Sequence, residues 1–179
     1  MELSNLLASQ GLTWKHTRFF KREYELQLGH QTIAKLYWPK ALSQQAIGEM
    51  GGESWTFERK GILHPKTTIL KIGDSEQAGS YETANMVGKG FLTLNHGVSY
   101  QWTNIDGGYR GWVWQELYGT PVVTFKPKSK WTYSEWLTNP EPSIMTSPNL
   151  NLLMVFGFYL ILKSQEQGAA GSTSSASSV

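Results

Sequence analysis

Two runs of basic residues set among aromatics are the places where residue type and spacing could do recognition chemistry. Lys15, His16, Arg18, Lys21 and Arg22 interleave with Trp14, Phe19 and Phe20. Guanidinium and ammonium groups attract phosphate while flat rings enter the boundary between water and lipid, so the combination suits an anionic phospholipid headgroup. On a single strand, alternation would turn Arg18 and Arg22 away from Lys15 and Lys21, dividing the charge between two faces. A solvated edge strand whose cations deter pairing explains the run equally well. Lys126, Lys128 and Lys130, beside Trp131 and Tyr133, recur with period two. An extended segment would hold those three ammonium groups on one side, as an anion site or as ordinary solubilising lysines around Pro127.

Other reactive chemistry is thinly represented. His16, His30, His64 and His96 stand far apart, with none of the close spacings that let two imidazoles share a metal ion. Gly-x-Ser-x-Gly, Gly-x-x-x-x-Gly-Lys-[Ser/Thr] and Gly-x-Gly-x-x-Gly are all absent. Asp106 with Asp74, or Glu49 with Glu53, could pair as acid and base only if the fold set their separation. The expectation is a non-enzymatic protein with no catalytic residues, metal site or cofactor. The eight tryptophans could stack bases or sugars. Trp38, Trp55, Trp102, Trp112 and Trp114, however, alternate with polar residues, as core side chains do.

Composition narrows the partners. A net charge of +2 on 179 residues is too dilute for a dedicated nucleic-acid binder. With no cysteine there is no disulfide framework, thiolate metal site or palmitoyl anchor, and a reducing cytoplasm is the expected setting. Met1 to Gln10 carries Glu2 and no basic stretch ahead of an apolar run, unlike a secretory signal. Hydrophobic residues at 40% against 17% charged predict one globular domain.

The elements that must hold these residues are short strands. Between Thr13 and about Lys130, period-two segments place Ala34, Leu36 and Trp38 on one face, then Trp55 and Phe57, Leu92 and Leu94, Tyr100 and Trp102, Trp112 and Trp114, and Val123 and Phe125. Turns fall between them at Gly29-His30, Gly51-Gly52, Lys60-Gly61, Gly73-Asp74, Asn95-His96-Gly97 and Asp106-Gly107-Gly108. Hairpin-linked antiparallel strands follow, and βαβ units do not. Leu137 to Pro142 reads as a proline-bearing linker. Ser147 and Pro148 then open a helix, predicted over about 148–163, in which Leu150 to Leu162 is almost wholly apolar. About 20 Å of helix is too short for a bilayer about 30 Å thick, and a helix apolar all round needs burial on every side. A partly inserted membrane anchor is the competing arrangement. Residues 167–179, small and polar, are expected to be a disordered tail after a domain of residues 13–166 and an N-terminal segment of residues 1–12.

This order of elements, with segments such as Gly90-Phe91-Leu92-Thr93-Leu94 and Ser99-Tyr100-Gln101-Trp102 and a terminal helix containing Phe158-Tyr159-Leu160, resembles the tubby C-terminal-like superfamily. That superfamily includes tubby proteins, phospholipid scramblases and LURP-one-related proteins. The resemblance covers roughly Tyr24 to Ser164 and implies a closed antiparallel β-barrel of about a dozen strands around a buried hydrophobic C-terminal helix. It also implies a peripheral membrane role through anionic phospholipid, or a protein-interaction or structural role on the same fold. The scramblases' cysteine-rich stretch has no counterpart here, and no tubby phosphoinositide residue maps onto a position of this chain. The candidate anion-binding residues therefore remain Lys15, Arg18, Lys21, Arg22, Lys126, Lys128 and Lys130.

Overall fold

The structure, a computed structural model, describes residues 11–17, 21–40, 42–61, 65–74, 76–84, 89–105, 111–129 and 134–173, with side chains as far as residue 168. Twelve strands form it: β1 (Leu12–His16), β2 (Glu23–Leu28), β3 (Gln31–Tyr37), β4 (Gln45–Met50), β5 (Glu53–Lys60), β6 (Lys66–Lys71), β7 (Gln77–Thr83), β8 (Gly90–Leu94), β9 (Ser99–Asn104), β10 (Trp112–Glu116), β11 (Pro121–Pro127) and β12 (Glu135–Pro140). Every strand pairs antiparallel with its sequence neighbours, and β12 pairs with β1 to close a barrel. Among the described residues one helix, α1 (Leu150–Thr173), follows a short 3-10 turn at Pro142–Ile144.

Period-two alternation decides which side chains meet inside. Each inward position named from the sequence, from Ala34 to Phe125, is buried. Outward positions are mostly Thr, Ser, Gln and charged residues, and apolar ones such as Leu70, Phe91 and Leu137 stand beside polar partners, Thr56, Glu82 and Thr13, rather than in the continuous apolar band of a barrel that spans a membrane. Among the described residues no helix is long and apolar enough to cross a bilayer. Turn glycines take positive φ where the hairpins need it, as at Gly29 (60°) and Gly97 (83°).

The helix occupies the lumen. Phe158 stacks flat on Trp14 of β1, with ring centroids 4.4 Å apart, and meets Tyr24 of β2 edge-on. Phe156 contacts Phe57 of β5, Tyr81 of β7 and Trp114 of β10. A helix touching strands around the whole circumference must be enclosed by them, and every residue from Leu152 to Lys163 is correspondingly buried.

Two glycines set how closely wall and helix approach. A Cβ on Gly48 of β4 would lie 2.4 Å from Val155, and one on Gly157 would lie 2.5 Å from the Phe125 ring and 2.8 Å from the Trp114 indole nitrogen. The space left at Gly157 lets the Trp114 indole N–H donate to the Leu153 carbonyl, at 2.9 Å. That carbonyl is the helical acceptor for Gly157 itself, so the wall is hydrogen-bonded directly to the helix backbone.

Three sequence expectations are corrected. Leu137 to Pro140 is not a linker but most of β12, the closing strand. Its prolines misled because the Glu141 N–H points to β11, bonding Val122, so the nitrogen of Pro140 faces the β1 side, where the ladder has already ended at Leu12–Thr138. The helix starts at Leu150 rather than Pro148, the Asn149 N–H being taken by the Ser147 hydroxyl at 3.2 Å. It also runs to Thr173, ten residues beyond 163, so residues 167–173 are helical and not a disordered tail. The buried segment provides the nucleus, and no residue after it breaks the ladder. Residues 174–179 lie outside the described residues.

Replacing Gly157 with Ala is expected to cost about 1–3 kcal/mol in urea denaturation, through overpacking and loss of the Trp114 bond. Gly168→Ala, whose Cβ would meet nothing within 4 Å, is expected to be neutral or stabilising.

Candidate functional site

Strand directions divide the charged residues between two mouths of the barrel: the N mouth, where α1 begins, and the C mouth, where it emerges. Turns bring Lys21, Arg22, Lys40 and Lys89 to the C mouth, and strand ends bring Arg59, Lys60, Lys66 and Lys126. Lys128, just after β11, and Lys163, on α1, complete ten cations among the described residues. Five carboxylates accompany them there: Glu23, Glu58, Glu82, Glu135 and Glu166. Among the described residues the N mouth has the reverse balance, with Lys71, and Lys35 across from Glu49, against Glu49, Glu53, Asp74, Glu76, Glu116 and Glu141. A nearly neutral sequence thus folds into a strongly polarised barrel.

Closure joins the two basic runs of the sequence. β12 lies between β1 and β11, so the turn after β1 and the end of β11 become neighbours on the C mouth. Glu135, the first residue of β12, stands opposite Lys15 in register and takes a 2.7 Å ion pair from Lys128. The hydrogen bond and charge of Lys128 hold the Glu135 carboxyl below the usual range, with a smaller contribution from Lys15. Lys21, Lys40 and Lys126 are exposed and make no ion pair among the described residues.

Not every candidate fits an anion site. Lys15 lies in a row of cross-strand partners running Glu135, Lys15, Glu25, Lys35 and Glu49 over five strands. Charges of alternating sign in that row stabilise the ladder and the seam, and leave Lys15 balanced on both sides. Nor do Lys15 and Lys21 share a strand with Arg22, as the alternation argument required, because β1 ends at His16 and Lys21 lies in the turn. His16 Nε2 and the Lys21 carbonyl, 2.8 Å apart, close that turn. Arg22 packs its guanidinium on the Trp38 ring, 3.9 Å from the centroid, and pairs with Glu166 of α1, which also pairs with Lys163 at 2.9 Å. Arg22 is therefore committed to fixing the emerging helix. Arg18 and Lys130, like His64 and Asp106, lie outside the described residues.

The remaining candidates have structural partners. Glu49 accepts a hydrogen bond from the Tyr37 hydroxyl at 3.0 Å, and Glu53 pairs with Lys71 and Asn151. Each is thus engaged by a side chain of a neighbouring element. His96 bonds the adjacent Asn95 side chain. Trp38, Trp55, Trp102, Trp112 and Trp114 are all core residues, leaving no exposed face among them for a base or sugar. No cluster of His, Asp or Glu suited to a metal occurs among the described residues.

Arg59 escaped the sequence reading. It continues the alternation Trp55, Phe57, Arg59 and so points inward at the C mouth, where it lines a notch with Thr67, Tyr81 and Tyr159. Desolvation by burial raises the Tyr81 and Tyr159 phenols well above their ordinary value, and the charge of Arg59 offsets only part of the rise.

No protein-family model, curated protein or solved structure matches this chain.

Two titrations check these environments. Because its folded value is lowered, the Glu135 carboxylate stabilises the barrel above the ordinary glutamate range, and this contribution fades as pH falls through the folded value. Lys128→Gln should raise that value in a carbon-detected NMR titration. The two buried phenols carry the opposite sign. Their contribution is whole below the ordinary phenol value of about 10 and is lost as pH rises above it, so alkaline unfolding and tyrosine ionisation should coincide in absorbance titration. Ionisation of all tyrosines before unfolding would contradict the burial.

Proposed function

We propose that the chain is a non-enzymatic, peripheral membrane-binding domain of the cytoplasm, whose C mouth rests on anionic phospholipid headgroups. The observation that carries this reading is the balance among the described residues: ten cations to five carboxylates at that mouth, against two to six at the other. Polarised barrels could serve the helix dipole instead, and at the N mouth that account suffices. There α1 has no acidic residue in its first turn, so the rim supplies the negative charge its N-terminus favours. At the C mouth it fails. The helix continues ten residues past Lys163, about 15 Å, whereas the dipole acts only within the last turn. The basic rim has no comparable internal partner, and the resemblance to tubby-like and scramblase-like barrels points to the same class of ligand.

Lysines near a membrane surface contribute roughly 1 kcal/mol each with anionic lipid and act within a Debye length. The protein should float with vesicles containing phosphatidylserine or phosphoinositide, less at physiological salt than at low salt, and not with neutral vesicles. Joint reversal of Lys21, Lys40 and Lys126 to Glu should weaken flotation by more than about tenfold, while Glu76→Lys at the other mouth should not. Binding to neutral vesicles irrespective of salt would contradict headgroup recognition.

One observation favours a second reading, a protein-interaction domain without a lipid ligand. Ile72, Val98, Leu117 and Tyr118, exposed at 51%, 38%, 60% and 98%, all lie in N-mouth turns. Absence of flotation with every vesicle would leave that reading in place.

A further inference from the structure

The notch beneath the C mouth is separate from the exposed rim and has an unusual set of polar groups. Part-open to solvent, it leaves about 20 Å³, room for a single water-sized particle. Strands β5, β6 and β7 contribute Arg59, Thr67, Tyr81 and Thr83 from their inward faces, and α1 contributes Tyr159 and Lys163. Lys163 is spoken for by Glu166. Arg59 is only partly exposed and has no carboxylate within ion-pair distance among the described residues. A guanidinium turned into a barrel without a counter-charge is costly, and proteins ordinarily neutralise it.

The Tyr159 hydroxyl reinforces the point. Its residue is 0% exposed, and its oxygen lies beside the Thr67 hydroxyl without making a well-formed hydrogen bond to it. Thr67 itself is 2% exposed. A fully buried hydroxyl with no partner destabilises the fold unless something in the cavity receives its proton. Arg59 and Lys163 can only donate, and the hydroxyls of Tyr159 and Thr67 can turn to donate.

We infer that this notch is an anion site sized for one monatomic ion, chloride in the cell, held by Arg59, Tyr159 and Thr67. Charge chooses an anion over water, since a halide both neutralises Arg59 and accepts from the hydroxyls. Space of that size takes a halide more readily than the larger tetrahedron of phosphate or sulfate. The ion would fasten β5 and β6 to α1 just below the point where the helix leaves the barrel. Arg59 is also one of the cations of the C mouth, but the halide tests below use no lipid and so stand or fall separately from the lipid reading.

Crystals of the full chain soaked in bromide should show an anomalous peak among Arg59, Thr67 and Tyr159. In solution, at matched sodium and ionic strength, replacing gluconate with chloride or bromide should raise the melting temperature by about 2–4 °C, saturating near the physiological 0.15 M. Arg59→Gln should abolish that increment. Tyr159→Phe, which keeps the ring in place, should reduce it, and serves if the arginine variant does not fold. A water in place of the peak, with equal melting temperatures in halide and gluconate, would overturn the proposal. So would a peak with no solution effect, which would mean binding at crystal concentration only.

Discussion

From Leu150 to Leu162 the helix offers water almost no polar side, and it has to be covered in every direction at once. A single sheet or a pair of helices would cover one side only. A closed barrel covers all of them, and twelve strands provide a lumen wide enough for a helix with its side chains. The aromatic content follows from the same need. Trp14, Phe57, Tyr81, Trp114 and Phe125 fill the annulus between wall and helix, and glycines at Gly48 and Gly157 remove volume where the backbone must come closest. Helix and barrel are in this sense one core, with few interactions that either could keep alone.

Closure has an electrostatic consequence as well. Because the strands alternate in direction, residues that follow one another in sequence are dealt to opposite mouths, and the β1–β12 seam brings the two ends of the chain together. A row of alternating charges from Glu135 to Glu49 crosses that seam and favours one register, since a slip by one residue would turn the row inward. The same geometry leaves Lys21, Lys40 and Lys126 on one rim without an ion pair among the described residues. The chain's small net charge conceals this separation completely.

Legibility followed the range of the interaction. Inward faces such as Ala34-Leu36-Trp38 were readable because alternation is local, and the barrel and its central helix followed from them together with the apolar run. β12 was not, since Asn139 and Pro140 resemble a linker unless the hydrogen bonds around them are known. Its inward residues are Trp136 and Thr138, with apolar Leu137 facing out between them, so no clean alternation marked the strand. The helical continuation to Thr173 carries no hydrophobic pattern and depends on a nucleus formed elsewhere. At the candidate site, the basic residues were individually visible, but their meeting across the seam is a property of closure. Lys15 and Arg22 looked like ligand groups by type and proved to be balanced by carboxylates on other elements. Arg59 could have been found by extending the Trp55-Phe57 alternation one step.

An enclosed helix and a basic C mouth make a joint claim about what happens at a lipid surface: the barrel should dock without opening. Hydrogen exchange followed by mass spectrometry, with and without phosphatidylserine vesicles, measures this directly. The account predicts that amides of residues 150–163 stay as protected as the barrel strands in both conditions, while vesicles slow exchange only in turns at the C mouth. Rapid exchange of residues 150–163 on adding vesicles would show the helix leaving the lumen for the membrane and would contradict it.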